Sequence, residues 1–220
     1  MLSEYSIDID DYLIKLLNNP NQEIKIYSLS MIESKNIIKA KPFVINIIRK
    51  EKNSYLKGIA IRAYCSLTDE IKLDKILKFL NRKNIDMKRE IIIGLIKYAG
   101  IEGIISAGVY LNKLLNSKNF RNRIMVAQII SEVNIKNFYQ PLIKLLQDRN
   151  IEVIKSALQA SSKIKNPKLI RHVFKNITNN KIKSSVITTL VEFKDLSLKY
   201  LEKYYNEDNF EIKNVIVKIL

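Results

Sequence analysis

The chain is predicted to be all-α and to stack helix pairs into an α-solenoid, on three observations. A block of apolar and polar residues closing on Leu17 recurs at Ile48, Leu80, Leu115, Leu146 and Ile177, in steps of 31, 32, 35, 31 and 31 residues. Apolar residues recur with the 3.6 period of helices throughout, and no useful stretch alternates at two. Only 5 Gly and 4 Pro occur in 220 residues, too few for the turns of an all-β chain. A period of this length means stacked repeats, because one helix pair cannot bury its own apolar face. Function is then expected on an extended surface rather than in a pocket.

Each instance ends an apolar helix, crosses three to five polar residues and opens a second apolar segment with a cation near its start. LLNNPNQEIK (16–25), FLNRKNIDMK (79–88), LLNSKNFRNR (114–123) and LLQDRNIEVI (145–154) show it. The periodicity parses into pairs: 10–17 with 22–34, 38–50 with 54–68, 72–80 with 86–99, and 103–115 with 121–133. The pairs 137–147 with 151–164 and 167–177 with 181–193 follow, then 197–205 and 210–220. Asn18-Asn19-Pro20-Asn21, Asn116 to Asn119, Asp148-Arg149-Asn150 and Asn179-Asn180 supply terminators. These short links force antiparallel neighbours. Pro42, Pro141 and Pro167 fall in first turns, where a missing N–H costs little.

No linker composition divides 1–220, so a single domain is expected. The segment 210–220 holds Ile212, Val215, Ile216, Ile219 and Leu220 at helical spacing with no polar closing helix. Solenoids need a capping repeat, so the chain reads as a fragment of a longer one with its C-terminal cap missing.

Composition bounds the partners. The net charge is +16, which would ordinarily point to nucleic acid or an anionic surface. Yet Ile (38), Lys (30) and Asn (22) fill 90 positions against 8 Arg and 8 Ala, the signature of an AT-rich genome, and the Lys are dispersed. Any nucleic-acid binding is therefore expected to be weak and non-specific. The lone Cys65 excludes an intramolecular disulfide and suits a reducing compartment. The N-terminus carries no cation before Lys15 and lacks a secretory n-region. A cytoplasmic location is expected. The apolar stretch 90–111 is broken by Lys97 and Glu102, short of the ~18 uncharged apolar residues that spanning needs. Two short buried helices meeting near Tyr98–Glu102 are expected instead.

The repeat residues resemble HEAT repeats, in which a short helix pairs with a second one opening Asp-Pro-x-x-x-Val-Arg. The matching stretches are Asn19-Pro20 to Ile24-Lys25, Ile85-Asp86-Met87-Lys88, Asp148 to Val153, and Glu211-Ile212-Lys213, with Asn for Asp and Lys for Arg. The resemblance covers essentially the whole chain and implies a curved, right-handed α-solenoid of six to seven HEAT-like helix pairs. Residues 94–204 are also similar to the cytosolic HEAT region of bacterial membrane proteins that join a nucleotide-exchange or major-facilitator-type carrier to HEAT repeats. Phe138-Tyr139-x-Pro141-Leu142 and Lys165-Asn166-Pro167-Lys168-Leu169 carry that likeness. It implies a soluble regulatory segment, at the cytoplasmic face of the membrane, beside a transporter.

Candidate chemistry is sparse. His172 is the only histidine, remote from Cys65, and neither has the partners of a zinc site or a hydrolase. The acids Asp10-Asp11, Asp69-Glu70 and Glu207-Asp208 fall at expected helix starts or loops, where capping and the helix dipole explain them. Gly94, Gly100, Gly103 and Gly108 lack a nucleotide fingerprint. No catalytic residue, cofactor or metal is expected. The informative set is a row of cations at the second-helix starts: Lys25, Lys57, Lys88, Arg89, Arg123, Lys155 and Lys213. They form either an inter-repeat ladder partnered by loop acids or a basic strip tracking a phosphate backbone. The expected function is a non-enzymatic scaffold that binds a protein or another domain of the same longer chain. The alternative is a basic HEAT-like nucleic-acid-binding protein resembling DNA glycosylases. Against that stands the absence of Trp, for which Tyr64, Tyr110 and Tyr139 substitute only in part.

Overall fold

A computed structural model gives the fold, and the structure describes residues 8–68, 70–81, 84–202, 213 and 216–218. No strand occurs among the described residues. The helices are α1 (Ile9–Leu16), α2 (Gln22–Lys35), α3 (Lys41–Lys50, entered through a 3-10 turn at Ile38–Ala40), α4 (Ser54–Ser66), α5 (Leu73–Leu80) and α6 (Ile85–Tyr98). They continue as α7 (Gly100–Leu115), α8 (Phe120–Val133), α9 (Gln140–Leu145), α10 (Ile151–Ile164), α11 (Pro167–Phe174), α12 (Lys183–Glu192) and α13 (Asp195–Leu201).

The chain forms two compact units, Met1–Tyr110 and Leu111–Leu220. In the first, α2, α4 and α6 pack side by side, while α1, α3 and α5 each pack on the following helix of their own pair. Its core joins Leu13, Leu17, Leu29, Ile32, Val44, Leu56 and Ile59. The helix α6 is buried almost all round, with Ile91, Ile92, Ile93 and Leu95 fully covered, as expected of a helix with apolar residues on every face. In the second unit α8, α10 and α12 form the corresponding row. There α9 packs on α8 and α10, and α11 packs on α9, α12 and α13.

The closest packing in the first unit depends on two glycines. A Cβ on Gly58 of α4 would stand 2.9 Å from Met87 Cα of α6, and one on Gly94 of α6 would stand 3.0 Å from Arg62 Cα of α4. Neither glycine is a phosphate-loop element; each removes a side chain where two backbones meet.

Element boundaries shift by a few residues from expectation, mostly where caps act. Pro42, Pro141 and Pro167 do fall in first turns. The helix expected over 103–115 begins at Gly100, whose φ of 60° lets the chain turn directly out of α6. The stretch 90–111 thus breaks where expected. Its second helix, however, is not buried: Ile101 is 77% and Ile105 64% exposed. The helix expected over 137–147 shortens to α9, and that over 167–177 ends at Phe174. No helix among the described residues is long and apolar enough to cross a membrane. The expected final helix over 210–220 lies largely outside the described residues.

Candidate interaction edge and buried charge network

The loops that open the first five second helices share one chemistry, which the start of α12 after Ile182 does not. Asn21, Asn53, Asn84, Asn119 and Asn150 are the N-caps of α2, α4, α6, α8 and α10, and each Oδ1 accepts a backbone N–H from the first turn. The side chain two residues earlier often braces the cap itself. Asn19 Oδ1, Glu51 Oε1, Ser117 Oγ and Asp148 Oδ1 accept the N–H of Asn21, Asn53, Asn119 and Asn150, at 2.9–3.2 Å. Each loop therefore supplies acceptors for donors that a helix start leaves unpaired.

The expected cations divide according to what that bracing residue is. Lys25, Lys57, Lys88 and Arg123 all stand four residues past their cap asparagine. Where the bracing position of the next loop is acidic, a rung closes. Lys25 Nζ lies 3.8 Å from Glu51, and Arg123 donates from Nε at 2.6 Å and Nη2 at 3.0 Å to Asp148. For Lys57 and Lys88 the bracing positions that follow are Arg82 and Ser117, without negative charge. Both lysines are half-buried, with no ion pair among the described residues. Lys155 pairs instead with Glu152 of its own helix at 3.0 Å, Arg89 with its neighbour Glu90, and Lys213 is exposed.

Pairing shifts the Asp148 carboxyl. Burial alone would raise its pKa, but hydrogen bonds from Arg123 and from the N–H groups of Asn150 and Arg149 outweigh that and hold it below the ordinary carboxylate value.

A second constellation crosses the row α2–α4–α6. Arg62 donates from Nε to Glu33 at 2.7 Å and from Nη1 to Glu90 at 2.6 Å, the two carboxylates being 7% and 1% exposed. Tyr98 donates its hydroxyl to Glu33 at 2.9 Å, and Arg89 also reaches Glu90. Burial, followed by the Glu33 carboxylate, raises the Tyr98 phenol and pushes the Cys65 thiol up to about 12. The sequence reading missed this network. Its signal is present: Glu33 and Glu90 each occupy an apolar-facing position, beside Ile32 and between Met87 and Ile91. No side-chain N or O atom buried among the described residues lacks a hydrogen-bond partner. The network thus has the satisfied geometry of a structural centre.

The other candidates have local explanations. His172 Nδ1 lies 3.1 Å from Gln147 Nε2, and burial, then Lys175 and Arg171, lowers its pKa. Asp10 and Asp11 lie in the first turn of α1, where Lys39 Nζ reaches Asp8 at 2.5 Å and Asp11 at 2.9 Å. Asp69, Glu207 and Asp208 lie outside the described residues. No group of three metal-capable side chains occurs among the described residues.

Several clefts open among the described residues. One of about 380 Å³ lies between α3 and α5, and one of about 710 Å³ lies beside Cys65, Tyr98 and Glu102. One of about 440 Å³ flanks Asp74 and Glu102, and one of about 370 Å³ in the second unit is lined by Ser, Thr and Gln of α10 and α12. In comparison with known proteins, no family model matches the chain and no curated protein matches it.

Proposed function

We propose that the chain is a non-enzymatic, right-handed α-solenoid of six to seven HEAT-like helix pairs. It acts as a cytoplasmic interaction scaffold, binding a protein or another domain of its own longer chain along the face formed by the second helices. One observation carries this reading. The second helices pack in a row within each unit, and all but α12, which starts after Ile182, open on the same Asn-capped loop, with a cation four residues on in four of those five cases. The likeness of 94–204 to carrier-linked HEAT regions points to the soluble regulatory part of a bacterial membrane transporter.

Nucleic-acid binding is the second reading, favoured by the +16 charge and by Lys57 and Lys88. It is disfavoured by engagement of the available cations and aromatics. Lys25, Arg89 and Arg123 face carboxylates. Lys168 lies 5.2 Å from the Tyr139 ring centroid, and the Tyr110 hydroxyl is 3.3 Å from Asn81 Oδ1. Photo-crosslinkers at positions 57 and 88 in cells distinguish the two. A discrete protein adduct is expected, enriched in the membrane fraction. Nucleic-acid adducts would put the second reading in its place.

A further inference from the structure

The groove between α3 and α5 differs in chemistry from the three other clefts described above. In the second unit the first helices α9 and α11 pack on one another. In the first unit α3 packs on α4, and α5 on α6, leaving a trough of about 380 Å³ between them. Ile61 and Tyr64 of α4 form its floor, Ile45 and Ile48 one wall, Ile76 and Phe79 the other. Its remaining lining residues are Arg49, Lys72 and Lys75, all exposed, and no carboxylate lines it. Lys41 adds a fourth cation at the Tyr64 end, its Nζ 6.0 Å from the ring centroid. The clefts beside Cys65 and Asp74 both carry acids, and the cleft in the second unit has a hydroxyl-rich lining.

We infer that this groove docks an acidic amphipathic helix of a partner protein. The trough holds two or three aliphatic anchors spaced i, i+3 or i+4, and the rim cations meet carboxylates on the flanks of the same helix. Apolar walls with a rim of one charge select an acidic amphipath over a nucleic acid, because a phosphate backbone has no anchors to fill the trough. The inference rests on the protein-binding reading above and adds a site on the first-helix side, away from the second-helix row.

The test uses the full chain and two fluorescent peptides of about four helical turns with leucine anchors, one flanked by glutamates and one by lysines. Saturable binding of the glutamate peptide alone is expected. Reversing Arg49, Lys72 and Lys75 together to glutamate should weaken it about tenfold or more and transfer binding to the lysine peptide, as expected for complementary interface charge. Ile48→Glu should abolish binding of the glutamate peptide. These positions are exposed or half-buried, and an unchanged melting curve confirms that each variant is folded. Equal binding of both peptides, or affinity unaffected by either variant, overturns the proposal. So does binding that appears only after truncation at residue 202, since the chain's own 203–220 segment would then be the occupant. If crosslinks from positions 57 and 88 capture a protein while the groove binds neither peptide, the scaffold reading stands and the groove proposal alone fails.

Discussion

Arg123 grips both oxygens of Asp148, and the oxygen that accepts from Nη2 also accepts the N–H of Asn150, the cap of α10. One carboxylate therefore joins α8 to the start of α10. The pair is 18% and 10% exposed at its side chains, so solvent screens it only in part. Asp148→Asn should cost about 1–3 kcal/mol at pH 7, the range for a charge-assisted hydrogen bond with a buried partner left behind. The folded carboxyl titrates below its ordinary value. Its contribution is thus complete above the unfolded value near pH 4 and is lost as pH falls through the folded one. Urea unfolding of both proteins at pH 7 and pH 3 checks this. A difference that stays constant across that range would mean the pair is not its source.

Gly58, Gly94 and Gly108 are all helical and should respond to alanine with opposite signs. Replacing an interior helical glycine by alanine gains about 1 kcal/mol from backbone entropy. At Gly108 nothing lies within 4 Å of a new Cβ, so that gain should appear. At Gly58 and Gly94 the new Cβ meets backbone Cα atoms at 2.9 and 3.0 Å, and separating α4 from α6 should cost about 1–3 kcal/mol, more than the gain. Thermal melts should rise for Gly108→Ala and fall for the other two. A rise for all three would mean that the helices relax freely.

Three second helices, α2, α8 and α10, end on a left-handed residue: Asn36, Asn134 and Lys165, at φ of 51°, 53° and 47°. Asparagine tolerates this conformation, whereas lysine adopts it at a cost of about 1–2 kcal/mol. The Lys165–Glu192 contact at 3.2 Å is about half exposed and offsets little. Lys165→Asn should therefore stabilise the chain by about 0.5–1 kcal/mol, read as a rise in the urea midpoint with unchanged m-value. A lower midpoint would show that the Glu192 contact outweighs the backbone term.

The parts of the fold that local rules govern were legible. The 3.6 period and the Asn-rich loops located nearly every helix, and the prolines fell in first turns, because capping and φ restriction act over a few residues. Longer-range matters were not. Whether a cation closes a rung depends on a residue some twenty-five positions away: acidic at Glu51 and Asp148, but not at Arg82 or Ser117. The row Lys25, Lys57, Lys88 and Arg123 looks uniform in sequence and is not uniform in space. Glu33, Arg62 and Glu90 are not legible in sequence because charges within apolar periods read as solvated positions until three helices bring them together. Gly58 carries no signal in sequence for the same reason, its meaning residing in Met87 on another helix. The exposed face of α7 was expected to be buried because apolar content alone does not say which face meets a neighbour.

Cys65 offers a direct reading of how firmly the Glu33–Arg62–Glu90 centre holds α4. Its thiol is 1% exposed, and burial, then Glu33, pushes its pKa up to about 12, so at pH 8 almost no thiolate exists in the folded state. An aromatic disulfide reagent can react only through an opening that exposes α4, and in the fast-reclosing regime the labelling rate reports the free energy of that opening. Labelling should be slow in the wild-type chain and complete at once in urea. Arg62→Leu removes the cation shared by two buried carboxylates, leaving Glu33 with only the Tyr98 hydroxyl to face it, a change that typically costs about 3–5 kcal/mol. If α4 opens as part of that centre, the variant should label on the order of a hundredfold faster or more, while its far-UV spectrum stays helical. Replacing Glu33, Arg62 and Glu90 together by Leu, Met and Leu should restore slow labelling, because no stranded charge remains. If Arg62→Leu labels at the wild-type rate, the network carries no share of the stability of α4, and the apolar contacts of Ile59, Ala60 and Ala63 hold it alone.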